Sequence, residues 1–133
     1  MSFFTSDFDD IRSGKATDVY FEWTNRILDA KNIHKRTRSE LMAKHLPSGW
    51  GVFTGLAEIL SLLEDLPLNV RSVPEGTLFR PFQPVMEIEG DFNDYGALET
   101  AILGLMCQSS GIATKAARCR IAVGGLQLVS FGA

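Results

Sequence analysis

Apolar residues recur at helical spacing early in the chain, where Tyr20, Trp23, Ile27 and Ala30 fall on one face of a predicted helix that Thr17 or Asp18 can cap. The polar, basic stretch 32–38 then reads as a loop, and residues 39–46 alternate weakly, as a strand does. Pro47-Ser48-Gly49 separates that strand from a short apolar run, 50–53, which gives the pair the signature of a hairpin. After Thr54, a capping residue, Leu56, Ile59, Leu60 and Leu63 occupy i, i+3, i+4 and i+7, so a second helix is predicted up to Asp65-Leu66-Pro67. Short strands are expected at 68–73 and 77–79, around the Pro74-Glu75-Gly76 turn. A further strand at 85–89 sets Val85, Glu87 and Glu89 against Met86 and Ile88, which predicts one wet face.

Beyond Gly90 and Asp91 the period changes to that of helices. Leu98, Ile102, Leu105 and Met106 share a face of a third helix, predicted from Asn93 or Asp94 to about Gln108. Ser110-Gly111 is expected to break it, with Ser110 capping a fourth helix through Ile112, Ala116, Cys119 and Ala122 that stops at Gly124-Gly125. The last apolar run, 126–131, has the character of a buried parallel strand. A lone parallel strand cannot satisfy its backbone groups. It either enters a larger sheet or barrel or closes back on the domain's own sheet.

Composition narrows the class. With 133 residues, 45% of them hydrophobic and 22% charged, the chain is an α+β globular domain able to build a core without disulfides or a structural metal. A net charge of -3, with basic residues scattered, argues against a nucleic-acid surface. No apolar run is long enough for a membrane span, and the N-terminus lacks a basic leader region, so a cytoplasmic location is expected. Cys107 and Cys119 lie on apolar helix positions and are expected to be buried, reduced thiols. His34 and His45 lack metal-ligand spacing, and no metal site is predicted. Nucleotide loops and nucleophile elbows are missing as well.

Seven stretches, in order along the chain, resemble the N-terminal part of nicotinate phosphoribosyltransferase, a type II phosphoribosyltransferase of NAD salvage. They are Ala16-Thr17-Asp18-Val19-Tyr20-Phe21, Phe53-Thr54-Gly55-Leu56, Val73-Pro74-Glu75-Gly76-Thr77, Pro84-Val85-Met86-Glu87-Ile88-Glu89-Gly90, Glu99-Thr100-Ala101-Ile102-Leu103-Gly104, Ser110-Gly111-Ile112-Ala113-Thr114-Lys115 and Ser130-Phe131-Gly132. The resemblance implies an α+β domain with a mixed sheet and packed helices over residues 1–109, used for substrate binding and dimerisation. It further implies that residues 110–133 form a linking helix and the first strand of an α/β barrel that the chain does not complete. The implied reaction joins nicotinate to phosphoribosyl pyrophosphate, releasing pyrophosphate, with Mg²⁺ and ATP used by the full-length enzyme. The implied assembly is a homodimer with shared sites.

Residue by residue, Tyr20 matches a tyrosine that stacks on the pyridine ring in the partner's site, and Phe131 matches the aromatic on the ring's other face. Periodicity alone favours Tyr20 as a core residue on the stripe with Trp23 and Ile27, a preference the resemblance reverses, and Phe131 is as readily a barrel-strand residue. Asp18 either caps its helix or meets the substrate. Lys44 and His45 align with basic residues that approach the diphosphate, or they are a solvated edge. Ser110 and its neighbours read as a helix cap before an anion site. Lys115, Arg118 and Arg120 place positive charge at an interface or at the site entrance. Catalytic residues are expected outside this chain. Quinolinate phosphoribosyltransferase shares the plan but tends to carry an arginine near Glu99-Thr100, and Glu99 would repel the second carboxylate of quinolinate. The reading from another class is a non-catalytic interaction module.

Overall fold

Alternation of charge, more than of hydrophobicity, explains the first strand in the computed structural model, which describes residues 7–131. Strand β1 (Arg36–Met42) turns Arg36, Arg38 and Glu40 to solvent and Thr37, Ser39 and Leu41 inward. It starts inside the stretch expected to be a loop, because its outward arginines meet carboxylates across the sheet. Arg36 Nε donates to Glu89 at 2.9 Å, and Glu87 lies between Arg38 and Arg71. Glu40 faces Glu87 directly, a like-charge pair that these guanidiniums offset.

The carboxylates belong to β5 (Pro84–Asp91), the centre of an antiparallel sheet of order β1-β5-β3, with β3 at Asn69–Ser72. Ile88 sits opposite Ser39 on one side and Val70 on the other. Inward residues Met86 and Ile88 are buried, and so is Val85, because the strand begins under the rest of the core. Gly90 continues this inward face. A Cβ there would lie 2.3 Å from Leu68 Cδ2, so a larger residue at this position would have to displace that side chain. The inward hydroxyls Thr37 and Ser39 are not orphaned, since both meet the Tyr95 phenol at 2.8 Å.

The expected hairpin between 39–46 and 50–53 does not form. Strand β2 (Gly51–Val52) pairs instead with β4 (Leu78–Phe79) in a separate two-stranded antiparallel sheet. The Pro74-Glu75-Gly76 turn thus carries the chain from one sheet to the other, fastened by Gly76 N–H to the Phe53 carbonyl at 2.8 Å. All the ladders among the described residues are antiparallel.

Helix α1 (Phe8–Arg12) precedes α2 (Val19–Ala30), which has the expected position but not the expected orientation. Tyr20, Trp23 and Ile27 are exposed and only Phe21 is buried, so the aromatic stripe is not core. Helix α3 (Leu56–Leu63) buries Ile59, Leu62 and Leu63 against β5 and the helix opposite. Thr54 does not cap it. The residue before the helix is Gly55 at φ +95°, a conformation that suits glycine, and a carboxylate from elsewhere does the capping: Glu75 Oε1 accepts from the amides of Gly55 and Leu56, both at 2.7 Å.

After α4 (Phe92–Tyr95), capped by Asp91, comes one helix where two were expected: α5 spans Glu99–Val123. Gly111 does not break it. A Cβ added there would meet nothing within 4 Å, so no close approach calls for glycine, and its intrinsic penalty, roughly 1 kcal/mol, is absorbed by 25 residues of helix. Ser110 sits mid-helix and buried, exchanging hydrogen bonds with the Thr54 amide at 3.1 Å and the Thr54 carbonyl at 3.2 Å. One turn on, Thr114 Oγ1 accepts from the Val52 amide at 2.8 Å. Cys107 is exposed and Cys119 partly so, against expectation, because the buried stripe of α5 runs through Ile102, Met106, Ser110 and Thr114. The strand expected at 126–131 is absent. Past Gly124 the chain turns and its segment to residue 131 is exposed, without ladder bonds, and Gly132 and Ala133 lie outside the described residues.

Glu75→Ala should therefore destabilise the domain by about 0.5–2 kcal/mol, the value of a helix cap, in urea denaturation. Glu75→Gln, which keeps an acceptor oxygen, should lose less. The hydrogen bond and charge of Arg36 hold the Glu89 carboxyl below its ordinary value. That contribution is complete above the unfolded-state glutamate value and disappears as the pH falls through the folded one. An acid titration of stability should accordingly show a smaller decline below the glutamate range for Arg36→Gln than for the parent.

Candidate functional site

Helices α2 and α5 meet at their N-termini, where two of the side chains singled out in the sequence, Asp18 and Tyr20, stand. Asp18 stands at the N-cap of α2 with extended backbone, yet its carboxylate makes no cap bond. It accepts instead from Thr100 Oγ1 at 2.9 Å, on the first turn of α5. Two residues on, Tyr20 is 54% exposed and leans on Phe21, ring centroids 4.2 Å apart and tilted by 40°. Partial desolvation, then the charges of Asp18 and Glu99, push the Tyr20 phenol above its ordinary value. The ring is neutral and faces outward beside two acids. Val19, Trp23 and Ile27 extend this exposed apolar surface along α2.

Glu99 connects this cluster to a groove of about 630 Å³ between β1 and α5, whose lining also includes Glu40, Met42, Lys44, Tyr95 and Leu103. Lys44 therefore stands in the groove that Glu99 opens toward Tyr20, whereas His45 is exposed just beyond it. A larger hollow of about 1120 Å³ lies at the other end of α5, between β4 and the final turns of that helix, with Trp50, Arg80 and Arg120 on its walls. Arg118 closes the loop beside it. Its guanidinium stacks over the Trp50 ring at 4.9 Å and donates to the carbonyls of Pro47 and Trp50. Those bonds make Arg118 a clamp on its own chain. Phe131, 94% exposed, finds no ring partner among the described residues.

The structure thus sets Asp18 and Tyr20 beside Glu99, which also lines the groove holding Lys44, and leaves Phe131 apart. Thr100 is the residue that sequence reasoning did not assign, whereas Arg118, expected at an interface or the site entrance, is spent on its own chain. Thr100 had a local signal, a hydroxyl beside Glu99 at a predicted helix position, but its partner lies 82 residues away. Among the described residues no three His, Cys, Asp or Glu side chains gather to hold a metal, and no helix is long and apolar enough to cross a membrane.

Comparison with known proteins bears on the family and the fold. The model of the family described as quinolinate phosphoribosyl transferase, N-terminal domain, matches residues 18–110. The crystal structure of nicotinate-nucleotide pyrophosphorylase from Pyrococcus furiosus superposes with a TM-score of 0.94 at 46% identity, covering 99% of this chain and 34% of that one. Nicotinate phosphoribosyltransferase pncB1 of Mycobacterium tuberculosis is 28% identical over 130 residues, 76% of this chain and 29% of the relative. The human nicotinic acid phosphoribosyltransferase structure has the same fold, with a TM-score of 0.70 at 24% identity over 85% of this chain and 30% of that one. The chain spans about a third of the length of these relatives. It belongs to the family of quinolinate phosphoribosyltransferase N-terminal domains, the α+β domain of type II phosphoribosyltransferases.

Proposed function

We propose that this domain serves an enzyme that joins nicotinate to phosphoribosyl pyrophosphate, giving nicotinate mononucleotide and pyrophosphate in a soluble, cytoplasmic homodimer. The observation that carries the reading is Tyr20: a large aromatic ring on a helix start, exposed, backed by Phe21 and flanked by Asp18 and Glu99. A stacking ring gives a flat pyridine orientation without competing for its charge. In the reaction the pyridine nitrogen bonds to the anomeric carbon as the bond from that carbon to pyrophosphate breaks, the electron pair leaving with pyrophosphate.

In this reading Tyr20 reaches the partner's site, Asp18 stands behind it, and Phe131 covers the ring's second face once the remaining barrel, from residue 110 onward, is built around it. Lys44 and His45 are the basic residues that approach the diphosphate. Mg²⁺ and ATP, expected for the full enzyme, are assigned in this reading to the rest of the protein. Glu99 supports nicotinate over quinolinate, because a dianion placed beside Tyr20 meets one more repulsive charge. The family model's own description keeps quinolinate as the second reading.

Purified protein containing this domain should convert labelled nicotinate and phosphoribosyl pyrophosphate, with Mg²⁺ and ATP, to the mononucleotide. Carbon dioxide release from quinolinate, with no product from nicotinate, would establish the second reading; no turnover of either acid would favour an interaction module. The 133-residue chain alone is expected to form no product. Tyr20→Ala should raise KM for nicotinate about two- to tenfold, the equivalent of one stacking contact. Its thermal stability should be nearly unchanged, because the ring is exposed. A collapse of stability would return Tyr20 to the core.

A further inference from the structure

We infer that Thr100 is a positioning residue for Tyr20, acting through its hydrogen bond to Asp18; this rests on the reading of Tyr20 as the ring that meets the pyridine. Helix α2 is poorly held by packing. Phe21 is its one buried residue, while Val19, Tyr20, Trp23 and Ile27 all stand exposed. Such a helix is oriented by a few directed contacts rather than by a core. At its far end, Asn93 reaches Asp29 at 3.3 Å. At the near end the tie is Thr100 Oγ1 to Asp18 Oδ2 at 2.9 Å.

An aspartate at an N-cap ordinarily spends its carboxylate on the amides of its own first turn, and Asp18 does not. Its backbone carbonyl accepts from the Phe21 amide at 3.0 Å, which closes the turn that carries Tyr20. The carboxylate is spent on α5 instead. The direction of the α2 start is thereby referred to α5, the element whose Ser110 and Thr114 are bonded to the β2 segment. Thr100 is also adjacent to Glu99, which lines the groove holding Lys44. One hydroxyl therefore relates the aromatic ring to the groove. Without it, α2 keeps Phe21 and Asn93 as anchors and tilts about them, and Tyr20, two residues from the lost tie, loses its set position.

Thr100→Val removes the donor at nearly constant shape, and Thr100→Ser restores it. In the 133-residue chain, which has two tyrosines, the Thr100→Val variant should show faster amide exchange over residues 19–22 and a less ordered Tyr20 ring by NMR relaxation, with Tyr95 unchanged. Thr100→Ser should behave as the parent. In the complete enzyme, Thr100→Val should raise KM for the pyridine acid about two- to fivefold, with kcat within about twofold and Thr100→Ser rescuing the loss. Unchanged exchange and ring order would overturn the tie, whatever the activity. Looser α2 with an unchanged KM would overturn the positioning role. Failure of the parent enzyme to turn over either pyridine acid would be a failure of the functional reading, and the exchange and relaxation data would still decide whether Thr100 sets Tyr20.

Discussion

The backbone of residues 51–55 has a strand neighbour on one side and a helix on the other, so part of its hydrogen-bonding capacity has to be met by side chains. Helix α5 meets it with two hydroxyls one turn apart, Thr114 to Val52 and Ser110 to Thr54, while Glu75 takes the next two amides. Buried amides left without such partners would each cost about 1–3 kcal/mol. These bonds fix α5 in rotation as well as in place, which packing of small residues such as Ala113 and Ala117 would not do. Everything at the ends of α5 follows from that setting: Glu99 and Thr100 beside α2, and Arg118 over Trp50.

Periodicity revealed the elements whose partners are nearby or nonspecific. The i, i+3, i+4, i+7 pattern from Leu56 to Leu63 is a helix because any apolar surface can cover it, and α3 appears where the pattern places it. Pairing was less legible. Strand β1 carries its alternation in Arg36, Arg38 and Glu40, and this becomes a strand signal only when Glu87 and Glu89 stand opposite. Ser110-Gly111 reads as a stop because serine and glycine are common at helix ends, whereas here the serine is a buried ligand for another segment's backbone.

The candidate site was legible to a different depth. Periodicity put Tyr20 on the same face as Trp23 and Ile27 and could not say whether that face was covered; the structure leaves all three exposed. The role proposed for Tyr20 rests on the family resemblance and not on periodicity. Asp18 was recognised as polar at a helix start, but the choice between capping its own helix and reaching another is a three-dimensional matter. Phe131 is uncovered and has no ring beside it among the described residues, which gives no geometry for an aromatic sandwich.

The three-stranded sheet also limits how copies of the domain can join. Its outer strands, β1 and β3, end the ladder with free backbone groups, the feature by which sheets recruit stray strands. β3 offers only four residues, and β1 bends at the shift between Leu41 and Met42 and presents alternating arginines along its length. A strand arriving at that edge would meet crowded charge and a broken register. Growth by sheet extension is thereby discouraged. Side-chain surfaces, such as the exposed apolar face of α2, are left as the more accessible route to association.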